Sequence, residues 1–493
     1  MLFHLSGKMV TPFTPQPQRG QPFHSRSISA KIWQISHLED AMLIRFGIRN
    51  HLSIRDYQEI SLVASKLKDA ESGLIEPTSN TVDKAQSTTR SPIRLLPVLA
   101  LYGANASGKS TMLHGLHCFV RFISNSHKQG DADDRTPYQP FLLDDGSSSA
   151  PATYDADIII GDTRYHYGYS IDDKRVLSEW LYAYPIVAAR QTRSVLFHRN
   201  IENEDVFYFG KSLRGENRQI AKLVRPNSLF LSAAAQNSHE QLSIIYDFFR
   251  NSFARRTENS QTSLGSISSQ LKKHFGDDED QKKSALRFLT AADIGITDMN
   301  FSSVPIDEKA KAFISEFELL VKRHISSEAV EVEKENSLRV ELLHAGADGK
   351  SHKIPLNLES AGTISLLKLL GPALTRLING GVLVVDELNT TLHPLVSREL
   401  IRLFSDPESN PGQAQLLFST HDTNILSGNL LRRDQIWFAE KDGDGASHFY
   451  SLAEIKVRSQ ANLEAGYLAG QFGAVPYFGL GELIQANVEQ GDE

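Results

Sequence analysis

One glycine-rich stretch, Gly103-Ala104-Asn105-Ala106-Ser107-Gly108-Lys109-Ser110, carries the clearest chemistry in this chain. Glycines at 103 and 108 let backbone N–H groups crowd onto phosphate oxygens, Lys109 reaches the β- and γ-phosphates, and the Ser110 hydroxyl is a hard oxygen ligand for Mg²⁺. Asn105, Ala106, Ser107 and Thr111 complete the candidate cradle. The apolar run Leu95–Tyr102 precedes it and the spacing predicts a helix over 111–126, which is the strand–loop–helix context of a nucleotide-binding P-loop. Such a loop needs a carboxylate beside its metal. Val382-Leu383-Val384-Val385-Asp386-Glu387 supplies two, at the end of an apolar strand opened by Gly380-Gly381. Asp386 is expected in the Mg²⁺ shell and Glu387 as the group that polarises the attacking water.

Weaker signals lie around this strand. Glu359-Ser360-Ala361-Gly362-Thr363 precedes Leu366, Leu367, Leu370, Leu374 and Leu377 at helical spacing. A Ser-x-Gly turn at a helix start either binds a γ-phosphate through its N–H groups and the Ser360 hydroxyl or merely caps the helix. Gly362 lies 24 residues before Asp386, and His421, after the apolar strand Gln415–Ser419, lies 35 residues beyond it. Between them, Leu392-His393-Pro394 forms a contact loop, or His393 simply stabilises the helix that follows.

The elements that position these groups are spread over 493 residues, enough for several cores. Ile44, Phe46 and Ile48, then Ile60, Leu62 and Ala64, alternate as two paired strands. Tyr154–Ile160 and Tyr165–Ile171 are predicted strands around Gly161-Asp162, residues 235–290 read as more helical, and Gln435–Glu440 and His448–Leu452 form a further predicted strand pair around Asp442-Gly443-Asp444-Gly445. We divide the chain into a poorly ordered leader, 1–41, interrupted by Pro12, Pro15, Pro17 and Pro22; an N-terminal lobe with the P-loop, 42–120; a mixed insertion, 121–345; and a C-terminal lobe, 346–493. Met42 is read as the natural start. The net charge of −7 argues against a surface built to coat nucleic acid, although a local basic groove remains open. The single cysteine, Cys118, forms no intrachain disulfide and no multi-cysteine zinc site, which fits a reducing cytoplasm. No membrane partner is expected, since no apolar run reaches the roughly 18 residues of a spanning helix.

The order P-loop, Ser360–Thr363 turn, acidic strand, Leu-His-Pro loop and His421 resembles ABC-type ATPase heads, including RecF and SMC-like ATPases. More narrowly, GANASGKS, ESAGT, VVDELNTTLHP, STHDT, RRDQIWFAEKD and GYLAGQFGAVP resemble AAA-type ATP-binding proteins of bacterial abortive-infection and anti-phage loci. The relatives named by this resemblance are RloA-type proteins and the overcoming-lysogenization-defect ATPases. It implies an α/β fold: an ABC/SMC-like P-loop head with a large mixed α+β insertion between the P-loop and the signature turn. It implies ATP and Mg²⁺ as cofactors, Ser360 and Gly362 as a signature that contacts nucleotide, His421 as a switch histidine, and Gln139 as the candidate for the glutamine after the P-loop helix. The partners implied are a second copy, through ATP sandwiched between heads, and a separately encoded effector such as a nuclease. About 70 residues follow His421, too few for the Toprim nuclease of the larger relatives. The competing expectation is a RecF- or SMC-like repair ATPase that clamps DNA.

Overall fold

The computed structural model describes residues 41–67, 73–77, 93–186, 192–256, 263–305 except 293, isolated positions in 308–316, and 336–475 except 391, 428–429 and 459–460. The expected leader, apart from Ala41, and most of the 66–92 loop lie outside the described residues; Ala41 is buried in the core.

A six-stranded sheet forms the centre, in the order β16-β15-β3-β14-β13-β9. Its members are β3 (Val98–Tyr102), β9 (Phe253–Arg256), β13 (Val382–Val385), β14 (Gln415–Ser419), β15 (Ile436–Lys441) and β16 (Ser447–Ser451). All neighbours run parallel except β16, which pairs antiparallel with β15. Both faces are covered, so the inner strands β3, β13 and β14 are buried along their whole length. Leu99, Leu101, Val382, Val384 and Leu417 point into one core, and Val98, Ala100, Leu383, Val385, Leu416 and Phe418 into another.

On the first face lies helix α1 (Lys109–Asn125), which buries Met112, Leu116 and Phe119. Beyond it stands an antiparallel seven-stranded sheet, β2-β1-β4-β5-β6-β7-β8, built from β1 (Met42–Arg49), β2 (Gln58–Ser61), β4 (Ala152–Ile160), β5 (Thr163–Ile171), β6 (Val176–Pro185), β7 (Ser194–Asn200) and β8 (Phe207–Phe209). Phe119 sits at its centre, stacked on Tyr169 at 5.4 Å and edge-on to Phe249 of α2 (Glu240–Asn251) at 5.4 Å. Gln415 pins the two sheets together, accepting from Leu43 N at 2.8 Å and donating to Leu43 O at 2.9 Å. The opposite face of the central sheet carries α3 (Ala361–Asn379) and α4 (Pro394–Ser405). Against α3 pack helices Leu264–Leu271 and Glu279–Ala291, and on these two helices lies a three-stranded sheet of β10 (Ile296–Pro305), β11 (Asn336–Ala345) and β12 (Ser351–Pro355).

This architecture redraws the division expected of the sequence. The boundary at 120 falls inside α1, and that at 345 falls within the β11–β12 hairpin. The segment 121–345 is not one insertion: β4–β8 continue the sheet that β1 and β2 begin, and β9 is an edge strand of the central sheet. Strand β9 escapes a periodicity reading because it has four residues, two of them arginine, inside a region otherwise helical. Its conformation is imposed by pairing Phe253 to Arg256 with Val382 to Val385. Among the described residues one helix, α3, is long and apolar enough to cross a membrane; half of its apolar stretch is buried within the protein, as befits a core helix.

Candidate functional site

Strands β3, β13 and β14 deliver their C-terminal ends to one edge of the sheet, where ligands gather in open parallel sheets. From β3 the chain enters the P-loop through Gly103 and leaves it through Gly108, whose φ of 109° lies in the region open to glycine. A Cβ at Gly108 would meet Ser447 Oγ at 2.2 Å, and one at Gly103 the Ala439 carbonyl at 2.3 Å, so both positions also need the missing side chain. Ser447 donates to Ser53, and Ser53 donates to Thr111, which locks β16 and the loop after β1 against the start of α1.

Lys109 is buried, and its ammonium donates to the carbonyls of Gly103 and Ala104, both at 2.9 Å. Burial pushes its pKa down to about 8, against the opposing pull of Asp386 and Glu387. Ser110 donates to Asp386 at 3.0 Å, and Ser419 donates to the same carboxylate oxygen at 2.6 Å. Ser110 and Asp386 thus form the pair that could hold a divalent metal. Ser419 also accepts from Glu387 N at 2.7 Å, so one hydroxyl at the end of β14 fixes both acids. Glu387 adopts φ 57°, a left-handed conformation that costs a non-glycine residue about 1 kcal/mol. The kink breaks the strand's alternation, and Thr390 donates to Glu387 Oε2 at 3.0 Å.

His421 follows β14, exposed, with its N–H donating to Asn389 Oδ1 at 3.3 Å. Burial of part of its ring and then the Lys109 ammonium push its imidazole below the ordinary value, which places it electrically within the P-loop site. Its proximity to Asp386 and Glu387 opposes this shift. The P-loop residues fit a phosphate. Ser107 Oγ is buried with no hydrogen-bond partner among the described residues, and Lys109 is held on backbone carbonyls that phosphate oxygens would replace.

The remaining candidates separate. Ser360 caps α3, its hydroxyl accepting from Thr363 N at 3.0 Å and meeting the Thr363 hydroxyl at 2.8 Å. Every hydrogen bond described for the Ser360 side chain is local, and Ser360 is exposed. His393 takes the helix-stabilising alternative: it is the N-cap of α4 and accepts from Leu395 N at 3.3 Å. Gln139 is exposed, and its backbone carbonyl accepts from Leu52 N at 2.8 Å. The position beside the acidic strand belongs instead to β9, where Arg255 pairs with Val384 and Arg256 with Val385. Arg256 donates to Ser365 of α3 at 2.8 Å, while Arg255 lies on the α1 side, where Asp386 supports its charge against burial and it adds to the burial that lowers His114. Neither arginine stands out in the sequence, because nothing there marks β9 as a strand. Ser419, Asn389 and Thr390 lie within the quoted motifs VVDELNTTLHP and STHDT, but their residue types alone do not mark them as site residues. The late Gly-Tyr-Leu-Ala-Gly segment finds its role behind the P-loop strand, where Tyr467 stacks on Phe438 at 5.6 Å and meets Tyr102 edge-on at 5.7 Å.

Fold and site together define a P-loop nucleotide-binding head with the motif order of ABC-type ATPases. A family model described as "AAA domain, putative AbiEii toxin, Type IV TA system" matches residues 98–427, two thirds of the chain, and the protein belongs to that family. Among solved structures the chain is similar to an SMC head domain from Thermotoga maritima, at 11% identity and TM-score 0.36, covering 84% of this chain and 99% of that one. It is also similar to an Smc head domain with an extended coiled coil bound to the C-terminal domain of ScpA, from Pyrococcus furiosus, at 13% identity and TM-score 0.30, covering 83% and 96%. A comparison with curated proteins found no match.

Proposed function

We propose that this protein is a Mg²⁺-dependent ATPase whose hydrolysis cycle opens and closes a homodimer, and that the dimer acts as sensor or scaffold for a separately encoded effector in abortive infection. The observation that carries the reading is the convergence of Lys109, Ser110, Asp386, Glu387 and His421 on one sheet edge, while the Ser360–Thr363 turn bonds only to itself. Lys109 and the loop N–H groups bind the phosphates. Ser110 and Asp386 would hold Mg²⁺, which when bound neutralises charge on the β- and γ-phosphates. Glu387, kinked toward the loop and steadied by Thr390, orients water and takes its proton. His421 senses the γ-phosphate beside Lys109.

The exposed start of α3 offers a hydroxyl and unused N–H groups to an anion, and a second head supplies that anion in a two-fold arrangement. Hydrolysis then changes the protein's assembly and serves switching. The family description, with its toxin and abortive-infection vocabulary, supports the cellular role. Phosphate release from wild type and from Lys109→Ala tests the chemistry: we expect turnover only from wild type, and equal rates would overturn it. Mass photometry with ATP, with and without the product of a neighbouring gene, tests the effector. Retention of duplex DNA in a salt-sensitive complex, with that product free, would replace this role by a DNA clamp.

A further inference from the structure

One turn below Ser110, on the face of α1 turned toward the antiparallel lobe, the chain gathers its sole cysteine and two histidines. His114 and Cys118 are four residues apart and share that face. His51, from the loop after β1, is fully buried and presents Nε2 to His114 Nδ1 at 3.1 Å. Cys118 Sγ lies 3.6 Å from His114 Nδ1, and the three donor atoms all fall within 4.8 Å of one another. A tetrahedral zinc with Zn–N of about 2.0–2.1 Å and Zn–S of about 2.3 Å sets its nitrogens about 3.3 Å apart and each about 3.6 Å from sulfur. Two of the three separations, 3.1 and 3.6 Å, match those of ligands around such an ion, and the third lies within 4.8 Å.

From this geometry we propose that His51, His114 and Cys118 form a binding site for a borderline-soft divalent cation of the zinc class, separate from the Mg²⁺ position at Ser110 and Asp386. The surroundings suit that ion. Tyr154 Oη is 2.9 Å from His51 Nδ1, so it receives the other ring N–H of His51 when Nε2 binds metal, as metal-ligating histidines require of their surroundings. Cys118 ligates a metal only as the thiolate. Binding therefore exchanges a proton for the metal: the S–H bond breaks, an S–metal bond forms, and one proton passes to solvent. His114 and Cys118 are partly exposed, which leaves the ion a way in and a fourth position for water. The consequence is mechanical, since the ion ties the loop carrying His51 and Ser53 to the helix that begins at Lys109.

Cobalt(II) titration of the full-length, nucleotide-free protein tests the site, because a thiolate-to-cobalt charge-transfer band has only one sulfur donor of the cysteine type to come from. We expect one equivalent to raise the band, zinc to abolish it, and Cys118→Ser, a conservative change, to remove it. His114→Gln should remove it as well, and Tyr154→Phe should weaken cobalt affinity by about tenfold. Wild type without a band, or a band of equal strength in both His51→Gln and His114→Gln, would overturn the proposal. Nucleotide plays no part in this readout, so its failure would leave the ATPase reading untouched.

Discussion

The P-loop edge and the start of α3 are both helix N-termini provided with small residues and a hydroxyl, yet the structure treats them differently. At the P-loop edge, groups from three separate strand ends interlock: the Ser110 and Ser419 hydroxyls donate to the Asp386 carboxylate, and the Glu387 backbone N–H donates to Ser419. At α3 the hydroxyl of Ser360 turns back on its own first turn and the motif stays exposed. One set of groups is assembled within the chain, and the other is exposed. The difference fits the proposed arrangement, in which the α3 turn of one copy meets the P-loop of another, while local capping holds the turn by itself.

The sharpest way to break this comparison is to remove the assembled half. Lys109→Ala should lower phosphate release by at least about 10²–10³-fold, the usual loss for a preorganised charge on the reacting group, measured in a coupled phosphate assay. Glu387→Gln should slow release by about 10²-fold or more yet retain ATP, and analytical ultracentrifugation should show ATP-dependent dimers. Monomers alone under those conditions would remove the two-copy arrangement.

Against these, a change in the packing that backs the site should act on stability. Phe119→Ala leaves a cavity among Phe46, Tyr169 and Phe249, so chemical denaturation should report a loss of about 3–5 kcal/mol. A smaller effect sharpens the α3 side: Ser360→Ala removes a cap and should cost about 1 kcal/mol, whereas Ser360→Asp keeps the cap and should cost almost nothing while repelling phosphate.

The smallest effect is a pH dependence in the antiparallel lobe. Burial disfavours the Asp157 carboxylate, but a hydrogen bond to His166 at 2.8 Å and the Arg45 guanidinium at 3.1 Å outweigh it and hold its pKa below the ordinary value. Between the two values the unfolded chain binds more protons than the folded one, so this stability is present above the ordinary carboxylate range and is lost as pH falls through it. Asp157→Asn should flatten the acid limb of a melting-temperature profile.

How far the sequence carried can be judged from particular elements. The P-loop and the Asp386-Glu387 strand were readable because glycine spacing and an unbroken apolar run are local properties, and β3, α1, β13 and β14 stand where those patterns put them. The pairing of β1 with β2 was readable for the same reason. Strand β9 was not, since four residues ending in two arginines become a strand only through their neighbour. Nor was the continuity of β1 with β4, because Met42–Arg49 and Thr153–Ile159 pair across about a hundred residues that include the P-loop. Arg255 was hidden for the same reason, since its place beside the acidic strand is fixed by topology.

The most direct test of the central claim is complementation between two inactive variants. Lys109→Ala has a dead P-loop and an intact Ser360 turn; Ser360→Asp has the reverse. If each site joins the P-loop of one copy to the α3 turn of another, mixing the two should restore phosphate release that neither shows alone. A mixture as inactive as its components, or full turnover by Ser360→Asp on its own, would contradict a site shared between two copies.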